Sequence, residues 1–194
     1  MRKTVTLSRP SQRRSHQQDS NRREYFNWVV TVGSALLCLL LLPMRIPGME
    51  LLGIAPNWLL IWVVAWSIKR TVIQGAIAGL VLGLIQDGMT SPDPTHALGL
   101  AIVGVLTARL QKQRYLQEDF ISVALIVFGM TILAETIATL QFGFFSYSPA
   151  GTDNLTIGKL AEIWQYRQQI TLTSAIVSSL WAPIVYYPLN HWWK

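Results

Sequence analysis

The chain has 194 residues, of which 51% are hydrophobic and only 13% are charged. Soluble domains carry about 25% charged residues, so this composition and its long apolar runs exclude an ordinary soluble domain and favour a chain that crosses a membrane. The net charge is +6, yet seven of the sixteen Lys and Arg residues lie before Tyr25, a concentration that points to membrane topology and anionic lipid and not to nucleic acid.

The first 25 residues are polar, basic and rich in Ser and Gln. A segment of this composition cannot bury enough apolar surface to fold alone, so we expect residues 1–25 to form a disordered cytoplasmic tail. Its basic residues are candidate contacts for anionic lipid. The candidates are Arg13, Arg14, Arg22 and Arg23.

Six apolar segments follow the tail and predict a single membrane domain of about six transmembrane helices over residues 26–194. The predicted spans are residues 26–43, 49–68, 72–86, 95–110, 120–142 and 170–189. The second span contains Pro56, and a proline inside a helix removes a backbone hydrogen bond. We therefore expect a kinked or partly broken second helix whose freed carbonyl groups are covered by neighbouring helices.

The longest connection, residues 143–169, follows the fifth span. Asp153 or Asn154 can cap a helix there, and apolar residues then follow at helical spacing from Ile157 to Trp164. This pattern predicts a short amphipathic helix on the extracytoplasmic membrane surface. The alternative is an irregular polar loop.

Basic residues are unequally divided between the two sides of the six predicted spans. One side carries thirteen Lys and Arg residues, and the other carries three. Because cytoplasmic loops are enriched in Lys and Arg, this division predicts that both termini are cytoplasmic. The basic residues of the predicted cytoplasmic loops are further candidates for lipid contact: Lys69, Arg70, Arg109, Lys112 and Arg114.

Small residues predict close packing of the third and fourth spans. Gly75, Gly79 and Gly83 repeat every four residues along one face of the third span. Lipid provides no hydrophobic force that pairs helices, so small residues act by letting two backbones approach. The fourth span offers a facing stripe of small residues: Ala97, Ala101, Gly104 and Ala108. We favour packing within the chain, and a homodimer through the glycines is the alternative.

Two acidic residues need partners. Glu135 is the one acid well inside a span, where a charge costs at least ~2.5 kcal/mol. It forms either a polar functional site within the bundle or a single structural hydrogen bond, for example to Thr131, Thr139 or a Trp ring nitrogen. Asp87 follows the glycine stripe at the end of the third helix, where the helix dipole disfavours negative charge. It either accepts hydrogen bonds from the following loop or remains solvated at the interface.

Three tryptophans form an aromatic stripe on the second helix. Trp58, Trp62 and Trp66 repeat every four residues and therefore share one helix face. We expect this stripe to face either lipid or the helix of a partner.

No residue pattern indicates catalysis. The only cysteine is Cys38, which excludes an intrachain disulfide and a cysteine-based metal site. The histidines His16, His96 and His191 are far apart and lack the spacing of metal ligands. We therefore predict that the protein is not an enzyme and binds no cofactor or metal.

Residues 56–109 carry several features in a fixed order: a proline that opens an apolar segment, a basic pair, a helix with G-x-x-x-G-L-x-x-D, a Pro-containing turn and a helix with His and Gly. The residues are Pro56, Lys69, Arg70, Gly79, Gly83, Leu84, Asp87, His96 and Gly99. This arrangement resembles the rod shape-determining protein MreD family.

The resemblance implies a non-enzymatic, multi-pass subunit of the bacterial cell-elongation machinery in the cytoplasmic membrane. It implies as partners the single-pass periplasmic scaffold MreC, the actin-like MreB filaments and peptidoglycan synthases. The basic residues of the tail and the cytoplasmic loops are then candidates for contact with lipid or the filament. It also implies a fold similar to the substrate-binding subunits of energy-coupling-factor vitamin transporters.

We hypothesise that the region from the second to the fourth helix makes the main partner contact. The candidate residues are Pro56, Trp58, Trp62, Asp87, His96 and Gly99. The competing function is a vitamin-type substrate-binding subunit of a transporter, which predicts an outward-facing cavity lined by Glu135 with Trp and Gln residues.

Overall fold

The computed structural model describes residues 10–44, 48, 51, 53–90, 96–112, 120–145 and 157–192. Within these residues the fold is all-α, as the apolar runs predict. The helices are α1 (Pro10–Leu41), α2 (Trp58–Ser67), α3 (Val72–Thr90), α4 (His96–Lys112), α5 (Phe120–Phe145) and α6 (Ile157–Trp192). The bounds of α3, α4 and α5 lie within four residues of the predicted spans.

Three helices in the described part of the chain are long and apolar enough to cross a membrane. They are α3, the Phe120–Gln141 part of α5 and the Gln168–His191 part of α6. Large apolar side chains such as Ile121 and Leu180 point outward from this bundle, as expected for a surface that contacts lipid. Shorter apolar helices are Tyr25–Leu41, Trp58–Ser67 and His96–Leu110, so the number of six spans stays a prediction.

The short helix α2 lies at the centre of the bundle. It contacts all five other helices, and Leu59, Leu60, Val63 and Val64 are fully buried. A helix of ten residues is about 15 Å long, roughly half the thickness of a bilayer's hydrocarbon core. An α2 that is apolar on every face can be buried among helices or exposed to lipid, and here the remaining elements enclose it.

The second predicted span is helical only in its second half. Leu51 and Ile54 exchange backbone hydrogen bonds of 3.1 and 3.0 Å, and Gly53 between them has a φ of 78°, which glycine adopts without strain. The buried Pro56 follows. Proline disfavours helical backbone at the residue before it, which explains why the helix predicted over residues 49–68 begins only at Trp58.

Asn57 closes the start of α2 in two ways. Its side-chain Oδ1 accepts a hydrogen bond from the backbone N–H of Leu60 at 3.1 Å, the usual role of an N-cap residue. Its own backbone N–H donates to the hydroxyl of Ser178 on α6 at 3.0 Å. The start of α2 is therefore joined to a helix that lies 121 residues later in the chain.

The prediction of a disordered tail is wrong from residue 10 onward, because α1 begins at Pro10. Proline is favoured at the first position of a helix, and the Gln and Arg residues that follow have high helix propensity. A polar segment of this kind gains helicity when it continues a longer helix, because the costly nucleation step is shared. Residues 1–9 lie outside the described part of the chain.

The surface helix predicted after the fifth span is not separate from the sixth span. α6 runs without interruption over 36 residues, from Ile157 to Trp192. At 1.5 Å per residue it is about 54 Å long, so it exceeds the roughly 30 Å hydrocarbon core. The cap candidates Asp153 and Asn154 lie outside the described residues.

Candidate functional site: the α2–α3–α4 unit and its groove

The backbones of α3 and α4 touch along the glycine stripe. A Cβ atom added to Gly75 would lie 2.6 Å from the carbonyl oxygen of Gly104. A Cβ on Gly79 would collide with the carbonyl of Leu100, and one on Gly83 would collide with the Cα of Ala97. The order of these contacts makes α3 and α4 antiparallel.

The remaining small residues of α4 lie at the same interface or beside it. Ala97 and Ala108 are buried, and Ala101 is half-buried. Because α4 covers the glycine face of α3, that face is not available to a second copy of the chain. The structure therefore argues against a homodimer through Gly75, Gly79 and Gly83.

Asp87 joins the end of α3 to the start of α4. The backbone N–H of His96 donates to Asp87 Oδ1 at 2.9 Å, and that of Ala97 donates to Oδ2 at 3.0 Å. His96 Nδ1 lies 2.8 Å from the same Oδ1. The first N–H groups of a helix lack partners within it and carry partial positive charge. The buried carboxylate thus caps α4, and its partners are the first residues of that helix.

Gly99 brings α4 close to a second neighbour. A Cβ added to Gly99 would lie 3.3 Å from the carbonyl oxygen of Ala134 on α5. Glu135, the next residue, is half-buried. The hydroxyls of Thr131 and Thr139 donate to the backbone carbonyls of Val127 and Glu135, each at 2.8 Å, so neither hydroxyl proton is donated to the Glu135 carboxyl group.

Trp58 and Trp62 of the tryptophan stripe face the interior of the bundle, so the expectation that the stripe faces lipid or a partner is wrong for these two residues, whereas Trp66 is half-buried. Trp58 and Trp62 are 5% and 3% exposed. The Trp58 ring packs against Trp181 of α6, with the centroids 5.8 Å apart. Trp62 stacks on Trp66, and its Nε1 donates to Ser34 Oγ of α1 at 2.8 Å. Helical spacing identifies a shared face but not what covers it.

The residues proposed from sequence as a partner interface are mostly inside the bundle. Pro56, Asp87 and Gly99 are buried, like Trp58 and Trp62, and only His96 retains partial exposure. These positions hold α2, α3 and α4 together. A partner would instead contact the outward residues of the same helices.

A groove of about 760 Å³, which no residue pattern predicts, opens between α1 and α3. Trp62 and Trp66 form part of its lining. At one end the Arg70 guanidinium lies 5.4 Å from the centre of the Trp66 ring, a cation–π arrangement. The i, i+4 spacing of Trp66 and Arg70 is the signal in the sequence that predicts this pair. Glu135 does not line the groove, so the groove is not the cavity that the transporter alternative predicts.

The other predicted basic contacts are only partly described. Arg109 is exposed near the end of α4, and Lys69 is half-buried after α2. The side chains of the remaining candidates lie outside the described part: Arg13, Arg14, Arg22, Arg23, Lys112 and Arg114. Within the residues that were searched, no group of three His, Cys, Asp or Glu could hold a metal ion.

A family model described as rod shape-determining protein MreD matches residues 22–188. The match begins in α1 and ends in α6, so it includes the glycine contact, the Asp87 cap and the groove. No curated protein and no solved structure gives a significant match to the chain. The fold similarity to energy-coupling-factor transporter subunits therefore stays a prediction.

Proposed function

The chain belongs to the rod shape-determining protein MreD family, and from that membership we propose that it docks MreC in the membrane and links MreB filaments to peptidoglycan synthesis. Family membership itself implies a role in rod shape determination and an integral membrane protein. The resemblance at residues 56–109 is thereby confirmed and extended to nearly the whole bundle. The proposal concerns the partners and the surface that binds them.

The main support for the proposed docking of MreC is the difference between the inner and outer faces of the α3–α4 pair. Its inner faces are held by backbone contacts and by the Asp87 cap, while its outward side chains are large and apolar. We call these residues the α3–α4 outer surface: Ile73, Leu80, Leu84, Leu98 and Ile102. A rigid apolar surface of this kind suits a single-pass helix, because docking on it does not require the bundle to rearrange.

The cytoplasmic part of the proposal rests on α1. Only its Tyr25–Leu41 part is apolar, so residues 10–24 extend the helix by about 22 Å beyond it. This extension carries Arg13, Arg14, Arg22 and Arg23. On the predicted cytoplasmic side it can contact anionic lipid or an acidic surface of a filament.

Cysteine crosslinking tests the docking surface. Leu80→Cys and Leu84→Cys are introduced into a Cys38→Ala chain that is co-expressed with MreC carrying a cysteine in its transmembrane helix. Leu125→Cys on α5 is the matched control, because Leu125 is also apolar and exposed. We expect crosslinks from α3 and none from α5. Crosslinks from Leu125→Cys alone would overturn the proposed surface.

Depletion of the protein in its native host tests the function itself. Rounding of rod-shaped cells, restored by the wild-type chain, is the expected result. Cells that keep their shape and acquire a vitamin requirement would reject the shape function in favour of the transporter alternative.

A further inference from the structure

The groove between α1 and α3 is polar and cationic at one end and apolar along the rest of its length. The polar end includes Asn27, Arg70 and Gln74, and the apolar part includes Leu36, Leu39, Val81 and Ile85. α1 packs on α2, and the space between α1 and α3 is open to the surroundings of the bundle. In a membrane, these surroundings are lipid.

The polar end offers hydrogen-bond donors without matching acceptors. Arg70 is exposed and has no acidic partner among the described residues. Trp66 Nε1 is buried and lacks a hydrogen-bond partner within the described part of the chain. Gln74 uses its Oε1 to accept from the backbone N–H of Thr71 at 3.3 Å, which leaves its amide N–H groups free to donate. A positive charge beside several donors complements a phosphate group.

The length of the apolar part matches one leaflet of a bilayer. Asn27 and Leu39 are twelve residues apart on α1, and Gln74 and Ile85 are eleven residues apart on α3. At 1.5 Å per residue these separations are about 17–18 Å. One leaflet contributes roughly 15 Å of hydrocarbon, half of the core. A chain that begins at Arg70 would therefore end near the middle of the membrane.

We propose that this groove binds one anionic phospholipid. Its phosphate lies at Arg70 and Gln74 beside the Trp66 ring, and an acyl chain extends between α1 and α3 to Leu39 and Ile85. A transmembrane helix suits the groove less well, because its apolar side chains offer no anionic group to the exposed Arg70 at the polar end. This inference is independent of whether MreC docks on the α3–α4 outer surface.

Native mass spectrometry of the full chain tests the proposal. The protein is reconstituted in bilayers of equal parts phosphatidylglycerol and phosphatidylcholine, and the retained lipids are identified. The wild-type chain retains phosphatidylglycerol in preference to phosphatidylcholine. Arg70→Gln lowers this preference about fivefold, the factor that one basic residue near an anionic surface contributes, and Arg70→Lys keeps most of it.

Two further variants distinguish specific lipid binding in the groove from a general attraction of anionic lipid to basic residues. Arg109→Gln removes an exposed basic residue that lies outside the groove, so it weakens only the general attraction to anionic lipid and lowers the preference less than Arg70→Gln does. Val81→Trp fills the apolar part from a partly exposed position and lowers the retention of both lipids. Circular dichroism establishes that each variant is folded.

Three outcomes overturn the proposal. They are no retained lipid, equal effects of Arg70→Gln and Arg109→Gln, and crosslinking of Val81→Cys to the MreC helix in membranes. The last outcome assigns the groove to a protein partner. Failure of the Leu80→Cys crosslink, by contrast, affects only the proposed docking surface and leaves the lipid site in place.

Discussion

The two sides of α3 meet their neighbouring helices in opposite ways. Toward α4, Gly75, Gly79 and Gly83 allow the two backbones to touch. Toward α1, Ile77 and Val81 border an open groove. Apolar side chains do not draw helices together in lipid, because lipid solvates them equally well, whereas small residues allow extensive van der Waals contact. The comparison teaches that apolar surface alone does not create a helix interface in this fold, so docking on the α3–α4 outer surface depends on the rigidity of that surface and not on its apolar character.

The strongest test of this comparison is a large side chain in the glycine contact. Gly79→Leu places a Cβ against the Leu100 carbonyl, and we expect a loss of stability of at least about 3 kcal/mol, the upper end for overpacking. Gly88→Leu on the same helix is the control, because a Cβ there meets nothing within 4 Å. Thermal unfolding in detergent measures both. Equal melting temperatures would show that the backbone contact does not hold the pair together.

A smaller effect is expected when the cap between α3 and α4 is removed. Asp87→Ala leaves the backbone N–H groups of His96 and Ala97 without their acceptor, which costs about 2 kcal/mol. Asp87→Asn keeps one acceptor oxygen and costs roughly half as much. Denaturant or thermal unfolding of both variants gives the values. If Asp87→Ala is as stable as wild type, the glycine contact alone positions α4.

On the groove side, the side chain of Trp62 on α2 donates a hydrogen bond to Ser34 on α1. Trp62→Phe removes the bond to Ser34 and costs about 1 kcal/mol. A double-mutant cycle with Ser34→Ala isolates this bond from the loss of indole packing. Strictly additive effects of the two substitutions would mean that the bond contributes nothing to the position of α1.

The smallest effect is expected for a groove side chain. Val81 is 46% exposed, so Val81→Ala changes the stability of the detergent-purified protein by less than about 0.5 kcal/mol. Leu125→Ala, at an exposed position on α5, provides the comparison. A clearly larger loss at Val81 would show that α1 packs against α3 after all.

The sequence predicts the helices and the close approach of α3 to α4, because apolar runs and four-residue glycine spacing are local patterns. It also indicates that Asp87 needs a partner. The carboxylate of Asp87 can accept hydrogen bonds from α4 only because Ala97 packs against Gly83, which lies one helical turn before Asp87. The sequence does not show this alignment of the two helices. The direction of the Trp58 and Trp62 stripe was mispredicted, since a short apolar helix has no polar face that identifies its interior.

The boundaries were harder to predict for a related reason. Residues 49–68 predict a helix that is kinked or partly broken at Pro56, whereas the helix begins only after this proline, where Asn57 is a good N-cap. Pro10 begins α1 in a segment whose composition alone suggests disorder. At both positions a single residue determines where the helix starts. The average composition of the surrounding segment does not reveal that residue's effect.

The enclosed position of α2 constrains how the protein is assembled during synthesis. Residues 58–67 are made early, but the hydroxyl that accepts the Asn57 N–H belongs to Ser178 on α6, which emerges from the ribosome more than a hundred residues later. Because an unpaired backbone N–H is costly in hydrocarbon, α2 cannot reach its final place when it leaves the translocon. The order of insertion therefore differs from the order of folding, and the core of the bundle is completed last.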